Sequence, residues 1–293
     1  MNAAFGIDHP LLATRDINGL RNHLIALGFN MTPIGKHPWG TSTSLAMFDG
    51  CLLEIMGIYD DTLIDKNPAG EFRFGRHVHA HLQQRDGVAL TALHSTDAQA
   101  DAMRAAEAGF DVAGHLEFGR DVTLPDGTAD RTKTTLALLP DQRFPRLSFF
   151  LCQQHRPELI YVPEWLSHPN KVTGISAINI VASPSIQPEL KARFAGLYDS
   201  FQALEGGFAC KTANGVIRVF SPTAFSRFVG ALPECANEDA SPFIAGMDLR
   251  MSDPEVLLGY LSQSGAPYQE VPGGYVLMSP EDTANTVLRF VAD

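Results

Sequence analysis

Two residues near the start of the chain have the chemistry to hold a metal ion or to move a proton. They are His9, in Ile7-Asp8-His9-Pro10-Leu11-Leu12, and Glu54, in Leu52-Leu53-Glu54-Ile55-Met56. A neutral imidazole and a carboxylate suit a borderline divalent ion such as Zn, Ni, Mn or Fe. Glu54 interrupts an otherwise apolar run, where a carboxylate without a partner is costly and a metal or an arginine would remove the cost. The plainer alternatives are a Glu at an exposed strand position and a satisfied core histidine. A catalytic metal site needs about three protein ligands and an open position. Farther on, Gln153, Gln154 and His155 extend an apolar strand, and His155 is the candidate third ligand, with Gln153 beside it as a substrate contact. Alternation sets Gln153 and His155 on one face of that strand, opposite Cys152 and Gln154.

Other residues are weighed against structural roles. Trp39 and Phe149 are candidate apolar walls of a substrate cleft. Arg120, and also Arg73 or Arg76, could hold a substrate anion bidentately, although surface ion pairs are the commoner fate of arginines. His77, His79 and His81 invite a metal reading, but Phe74, Val78 and Leu82 have helical spacing. In a helix only His77 and His81 align, no carboxylate lies between them, and a solvated helix face is the expectation. His168 precedes Pro169-Asn170 and is expected to pack against the second half. No nucleophile elbow, phosphate loop or dinucleotide fingerprint occurs, so those activities lack support.

Positioning these groups requires regular elements, and the chain of 293 residues repeats one order of them. An apolar strand leads to a capping Asp, an amphipathic helix follows, and a glycine ends it. The first copy runs Ile7 to Ala13, Asp16, a helix through Leu20, Leu24 and Leu27, then Gly28. The second has Val88 to Leu93, Asp97, Met103 and Ala106, then Gly109. The third has Ile175 to Ala182, then Leu190, Phe194, Leu197 and Phe201 at helical spacing, ending at Gly207. The fourth has Ile244 to Met251, Asp253, Pro254, Leu257 and Leu261, then Gly265. Hairpin signals follow each helix: Asp49-Gly50, Pro125-Asp126-Gly127, Asn214-Gly215 and Pro272-Gly273-Gly274. The prediction is an α+β fold of four βαβββ-type modules in two pairs. Residues 1–155 form the N-terminal pair, 156–173 a linker, and 174–293 the C-terminal pair.

Composition narrows the partners. A formal charge of -11 and an isoelectric point near 5.3 repel polyanions, so nucleic acid is excluded as a partner. No apolar run approaches the roughly 20 residues of a membrane helix, and the N-terminus lacks a secretory pattern. A cytoplasmic protein with a small-molecule substrate is expected. Cys51, Cys152, Cys210 and Cys235 are scattered, and reduced buried thiols are the default.

The chain resembles the vicinal-oxygen-chelate superfamily, which includes glyoxalases, bleomycin-resistance proteins and extradiol dioxygenases. The resemblance is carried by Ile7-Asp8-His9-Pro10-Leu11-Leu12, Leu27-Gly28-Phe29, His37-Pro38-Trp39-Gly40-Thr41 and Leu52-Leu53-Glu54-Ile55, and farther on by Pro125-Asp126-Gly127-Thr128, Ser148-Phe149-Phe150-Leu151 and His168-Pro169-Asn170. It implies curved mixed sheets and a divalent metal held by His9 and Glu54, with Glu54 also moving the proton. The usual partner positions in the second module depart from the pattern: Leu90 aligns with His9, and Leu151 or Cys152 with Glu54. Three functions are compatible: a metal-dependent lyase or isomerase acting on a small carbonyl substrate, a metal-free binding protein of the resistance type, and an iron-dependent extradiol dioxygenase. The dioxygenase would need a His-rich triad in the second half, where Ile178 and Gly246 occupy the matching strand positions. Paired modules could also be completed across a homodimer.

Overall fold

The aspartates at the predicted helix starts act as caps. In the computed structural model, which describes residues 5–230, 233 and 241–292, Asp16 accepts from the amide of Gly19 and opens α1 (Ile17–Ala26). The next helix, α2 (Phe74–Leu82), has no side-chain cap. Asp97 accepts from Ala100 and opens α3 (Ala98–Glu107). Two further helices, α4 (Gln187–Phe194) and α5 (Pro222–Val229), precede α6 (Pro254–Ser264), where Asp253 accepts from Glu255 and Val256. Gly28, Gly109 and Gly265 follow their helices with φ of +85°, +88° and +72°, the left-handed geometry expected after a helix end. Gly207 departs from this expectation. The helix α4 stops at Phe194, Gly196 interrupts the apolar spacing, and Phe201 already begins a strand; Glu205 and Gly206 form the hairpin turn that follows, and Gly207 opens the next strand opposite Leu204.

The strands of the first half are β1 (Ile7–Ala13), β2 (Gly35–Lys36), β3 (Thr41–Phe48), β4 (Cys51–Ile58), β5 (Gly87–His94), β6 (Gly114–Phe118), β7 (Asp121–Thr123), β8 (Ala129–Arg131), β9 (Thr134–Leu139) and β10 (Phe149–Gln154). Those of the second half are β11 (Val172–Val181), β12 (Phe201–Leu204), β13 (Gly207–Lys211), β14 (Val216–Phe220), β15 (Phe243–Met251), β16 (Tyr268–Val271), β17 (Gly274–Leu277) and β18 (Val287–Ala292). They form two eight-stranded mixed sheets, in the orders β2-β3-β4-β1-β5-β10-β9-β6 and β12-β13-β14-β11-β15-β18-β17-β16. In each sheet the two module-opening strands pair antiparallel at the centre, and each pairs in parallel with its own closing strand. The four modules therefore follow the βαβββ order, with the β7-β8 hairpin inserted in the second.

One apolar core runs through both halves. Leu24 of α1 and Leu27 just after it, Ala102 of α3, Phe194 of α4 and Leu261 of α6 lie in it with Ile178 and Leu288 of the second sheet. His168 packs against the first half and not, as expected, the second: its Nδ1 accepts from the Asn30 amide at 2.9 Å, its Nε2 donates to the Met47 carbonyl at 2.8 Å, and its ring lies against Phe29 and Phe48. The opposite face of each sheet forms a cup. The helix α2 packs into the first cup, with Phe74 and Val78 against Leu11, Leu90 and Phe150. The helix α5 packs into the second, with Phe225 and Val229 against Val181 and Val287. Among the described residues no helix is long and apolar enough to cross a membrane. Cys51, Cys152 and Cys210 are buried free thiols; Cys235 lies outside the described residues.

Candidate functional site

A strand would normally send Asp8 and His9 to opposite faces. Here the β1-β5 register shifts between Ile7 and His9, and the resulting bulge brings the Asp8 carboxylate alongside the imidazole. Asp8 Oδ1 lies 2.7 Å from His9 Nδ1, and His9 Nε2 lies 3.0 Å from Glu54 Oε2. Glu54 Oε1 accepts from the Thr43 hydroxyl at 2.5 Å. His9, Glu54 and Asp8 are 5%, 6% and 1% exposed, so the chain Asp8–His9–Glu54–Thr43 is shielded from water over most of its length. On the far side, Asp8 Oδ2 lies 3.5 Å from Nε2 of the half-buried His94.

Burial alone would push the imidazole toward neutrality, but the hydrogen bonds and charges of Asp8 and Glu54 outweigh it and raise the His9 pKa to about 10. Burial likewise opposes ionisation of Glu54, and the His9 contact outweighs it, lowering that pKa to about 2. The pair therefore rests as imidazolium and carboxylate.

These groups line a narrow chamber of about 50 Å³ whose other walls include Leu11, Trp39, Phe74, Phe150 and Cys152. Gly40 keeps the Trp39 turn tight: its φ is +81°, and a β-carbon there would fall 2.3 Å from the Asp60 carbonyl oxygen. His37 stacks on Trp39 at 4.8 Å and 9°. Burial, aided by the charge of Arg120, lowers the His37 pKa to about 3, so this ring is neutral. Burial also holds the Cys152 thiol well above its ordinary range, hence protonated.

The structure thus gathers four expected residues, His9, Glu54, Trp39 and Arg120, around one cavity. Phe149, Gln153 and His155 require correction. All three lie on the other face of β10. Phe149 packs on Phe194 at 6.1 Å. Gln153 accepts from the Ala98 amide at 2.9 Å and donates to the Thr96 carbonyl, holding the start of α3. His155 is exposed and hydrogen-bonds Thr135 at 2.7 Å, so it does not complete a ligand set with His9 and Glu54. Phe150, Cys152 and Gln154 face the chamber instead. Gln153→Ala should cost about 1 kcal/mol of stability, the usual loss for a helix-start contact, while leaving chamber binding intact; urea unfolding beside a ligand titration measures both.

The remaining candidates fall elsewhere. Arg76 pairs with Asp65 and Arg73 donates to the Gly70 carbonyl at 2.7 Å. The helix through the histidine cluster is as expected, but its face is not solvated: His77 hydrogen-bonds the Ala89 carbonyl at 3.0 Å and His81 is 7% exposed. Sequence reasoning had passed over Asp8, Thr43 and His37 as site residues. His37 and Asp8 both stand inside segments that carry the family resemblance, which was their signal; strand alternation argued against Asp8, because only the bulge turns it inward.

The donor set decides whether a resident divalent ion fits. In the central pairing, His9 faces Ala92 and Leu11 faces Leu90, so the internal two-fold carries His9 onto Leu90. Glu54 lies beside Leu11 and Phe150 beside Ala92, which makes Phe150 the counterpart of Glu54, in place of Leu151 or Cys152. Both counterparts are apolar. Among the described residues no group of three or more His, Cys, Asp or Glu side chains comes together as a metal set. Two donors, His9 and Glu54, fall short of the three or more protein ligands that a resident ion needs. The second cup offers no substitute. All ten histidines precede residue 169, and the cup contains Asp248 bound by Arg218 and Arg289 at 2.8 and 2.7 Å.

The sequence profile of a family described as "Glyoxalase-like domain" matches residues 7–197. No curated protein matches the sequence. Among solved structures, the fold is similar to a hypothetical protein from Staphylococcus aureus, with a TM-score of 0.68, 10% identity and coverage of 98% of this chain and 99% of that one. It is also similar to a mutant 4-hydroxymandelate synthase from Streptomyces coelicolor, with a TM-score of 0.60, 11% identity and coverage of 100% and 93%. A fusion of a xylose isomerase-like TIM barrel with 4-hydroxyphenylpyruvate dioxygenase gives 0.58, 13%, 99% and 49%, so this chain spans about half of it. At such identities these likenesses establish the fold alone.

Proposed function

The chain belongs to the glyoxalase-like family, and we propose that the chamber of its first sheet enolises a small carbonyl compound bearing an adjacent oxygen, as a lyase or isomerase that needs no resident divalent ion. The observation that carries this reading is the buried chain Asp8–His9–Glu54–Thr43 at the wall of an apolar chamber.

A substrate carbonyl oxygen that takes the Nε2–H of His9 displaces Glu54 from it. Asp8 still holds the other nitrogen, so the ring stays protonated and faces the developing oxyanion with a full positive charge. Glu54, released from the contact that depressed its pKa, moves back toward the ordinary carboxylate range and becomes the stronger base. It takes the α-proton, and the C–H electron pair becomes the C=C bond of the enediolate. Return of that proton to the neighbouring carbon, with the hydroxyl proton of the adjacent oxygen passing to the former carbonyl oxygen, gives an isomer; expulsion of a β-substituent with its bonding pair by the same electron pair gives a lyase.

Solvent-deuterium exchange tests this without knowledge of the physiological substrate. Chelator-treated protein in D₂O is expected to exchange an α-proton of hydroxyacetone or related 2-hydroxy carbonyl compounds, followed by ¹H NMR, faster than buffer alone. Exchange that appears only with an added divalent ion would replace this reading with the metal-dependent one. Absence of exchange across such a panel would favour a metal-free binding protein. That second reading has its own support: pKa values near 10 and 2 make the resting pair a weak acid and a weak base at neutral pH.

A further inference from the structure

Arg120 stands where two cavities meet. Inward lies the chamber of His9 and Glu54. Outward lies a groove of about 520 Å³ whose lining includes Met31, Met47, Val122, Leu159 and Trp165. Leu45, Arg120, Thr132 and Ile160 belong to both walls and form the neck between them.

The cation at that neck has no partner of its own. Arg15, Arg76, Arg131, Arg143, Arg156 and Arg218 each hold a carboxylate. The half-buried Arg120 side chain has no hydrogen bond or ion pair among the described residues; only its backbone is engaged, with Thr132. Burial lowers its pKa against the opposing charge of Glu54, yet a guanidinium does not give up its proton in a protein. Glu54 cannot serve it, being taken up by His9 and Thr43. Deeper in, the indole Nε1 of Trp39, 1% exposed, is a second donor without an acceptor. An unpaired guanidinium at the neck and an unsatisfied indole N–H deeper in, next to an apolar groove, call for acceptor oxygens on a molecule that also has an apolar part. The single guanidinium matches a monoanion rather than a phosphate dianion, because Glu54 already places negative charge in the chamber. Unbranched Met31 and Met47 give the groove walls that adapt to a flexible chain.

We propose that the ligand is an amphiphilic monocarboxylate, with its carboxylate on Arg120 at the neck, an oxygen on the adjacent carbon entering the chamber, and an aliphatic tail in the outer groove. The placement of that second oxygen rests on the enolisation reading; the carboxylate and the tail do not.

The chain contains two tryptophans, and Trp39 lies in the chamber while Trp165 lies in the groove. Tryptophan fluorescence titration of the full-length protein, repeated in Trp165→Phe, therefore reports both compartments. Three probes separate the parts: 2-hydroxyoctanoate, lactate with the same head and no tail, and 1,2-octanediol with the tail and no charge. The expected result is that 2-hydroxyoctanoate binds at least about tenfold more tightly than either of the others, as a charge-assisted bond and a buried tail would give. Arg120→Gln should abolish the preference over the diol, and Arg120→Lys should restore part of it, which separates lost charge from lost folding. Equal binding of the diol and the acid, equal binding of lactate and 2-hydroxyoctanoate, or no binding of any probe would overturn the proposal. Binding without deuterium exchange thus removes the enolisation reading alone, and exchange without the chain-length and charge preferences removes this one alone.

Discussion

Glu54→Gln should lower the α-proton exchange rate by about 10²- to 10⁴-fold, the usual contribution of a general base, with the fold preserved. Glutamine keeps the shape of the side chain, and its amide oxygen can still accept from His9 or Thr43, the two groups on Glu54. His9 keeps Asp8 on its other nitrogen. The variant removes the proton acceptor without leaving the imidazolium alone in an apolar wall, which full truncation to Ala would do at a cost of several kcal/mol. The comparison to make is exchange rate against thermal midpoint for the same preparation. A variant that retains a tenth or more of wild-type exchange would remove Glu54 as the base.

The second large effect is on stability as a function of pH. His9 titrates near 10 in the folded protein against an ordinary 6.5. A raised pKa means that the folded state binds the proton more tightly, so this contribution is complete below about pH 6.5 and falls as pH climbs through 10. Glu54 is lowered from 4.5 to about 2, so its contribution is complete above about pH 4.5 and is lost as pH falls toward 2. The pair should therefore stabilise the protein most between about pH 4.5 and 6.5, with a few kcal/mol lost on the alkaline side. Urea unfolding of wild type and His9→Gln from pH 6 to 10 measures it: the difference between them should shrink steadily. A difference constant over that range would mean that His9 is not held as an imidazolium.

The parts of the fold that were legible in the sequence are those specified locally. Asp16, Asp97 and Asp253 sit next to the amides they accept from, so neighbours in sequence carry the whole signal. Because the caps fix the offset between modules, Leu90 was correctly set against His9. Closing strands have no such marker. In Phe149-Phe150-Leu151-Cys152 every residue is buried, because one face meets the core between the sheets and the other lines the chamber. Hydrophobicity then carries no parity, and a shift of one residue exchanges Phe149, Gln153 and His155 for Phe150, Cys152 and Gln154. Gly207 misled for a related reason: a glycine followed by Phe closes a hairpin as readily as it ends a helix. Asp8 was hidden by the rule that usually helps, since strict alternation removes it from the face of His9, and the bulge that restores it leaves no mark in composition.

The apolar counterparts of the donor pair also bear on stereochemistry. The His9 ring meets Phe150 edge-on at 5.5 Å, and Phe74 stands 5.7 Å from Phe150 on the same wall. With Glu54 the only carboxylate lining the chamber among the described residues, protons reach a planar enediolate from one side, and the opposite side meets hydrocarbon. The two hydrogens of a prochiral methylene are therefore inequivalent to this protein. Deuterium should enter one of them alone, and any new stereocentre should form as a single enantiomer.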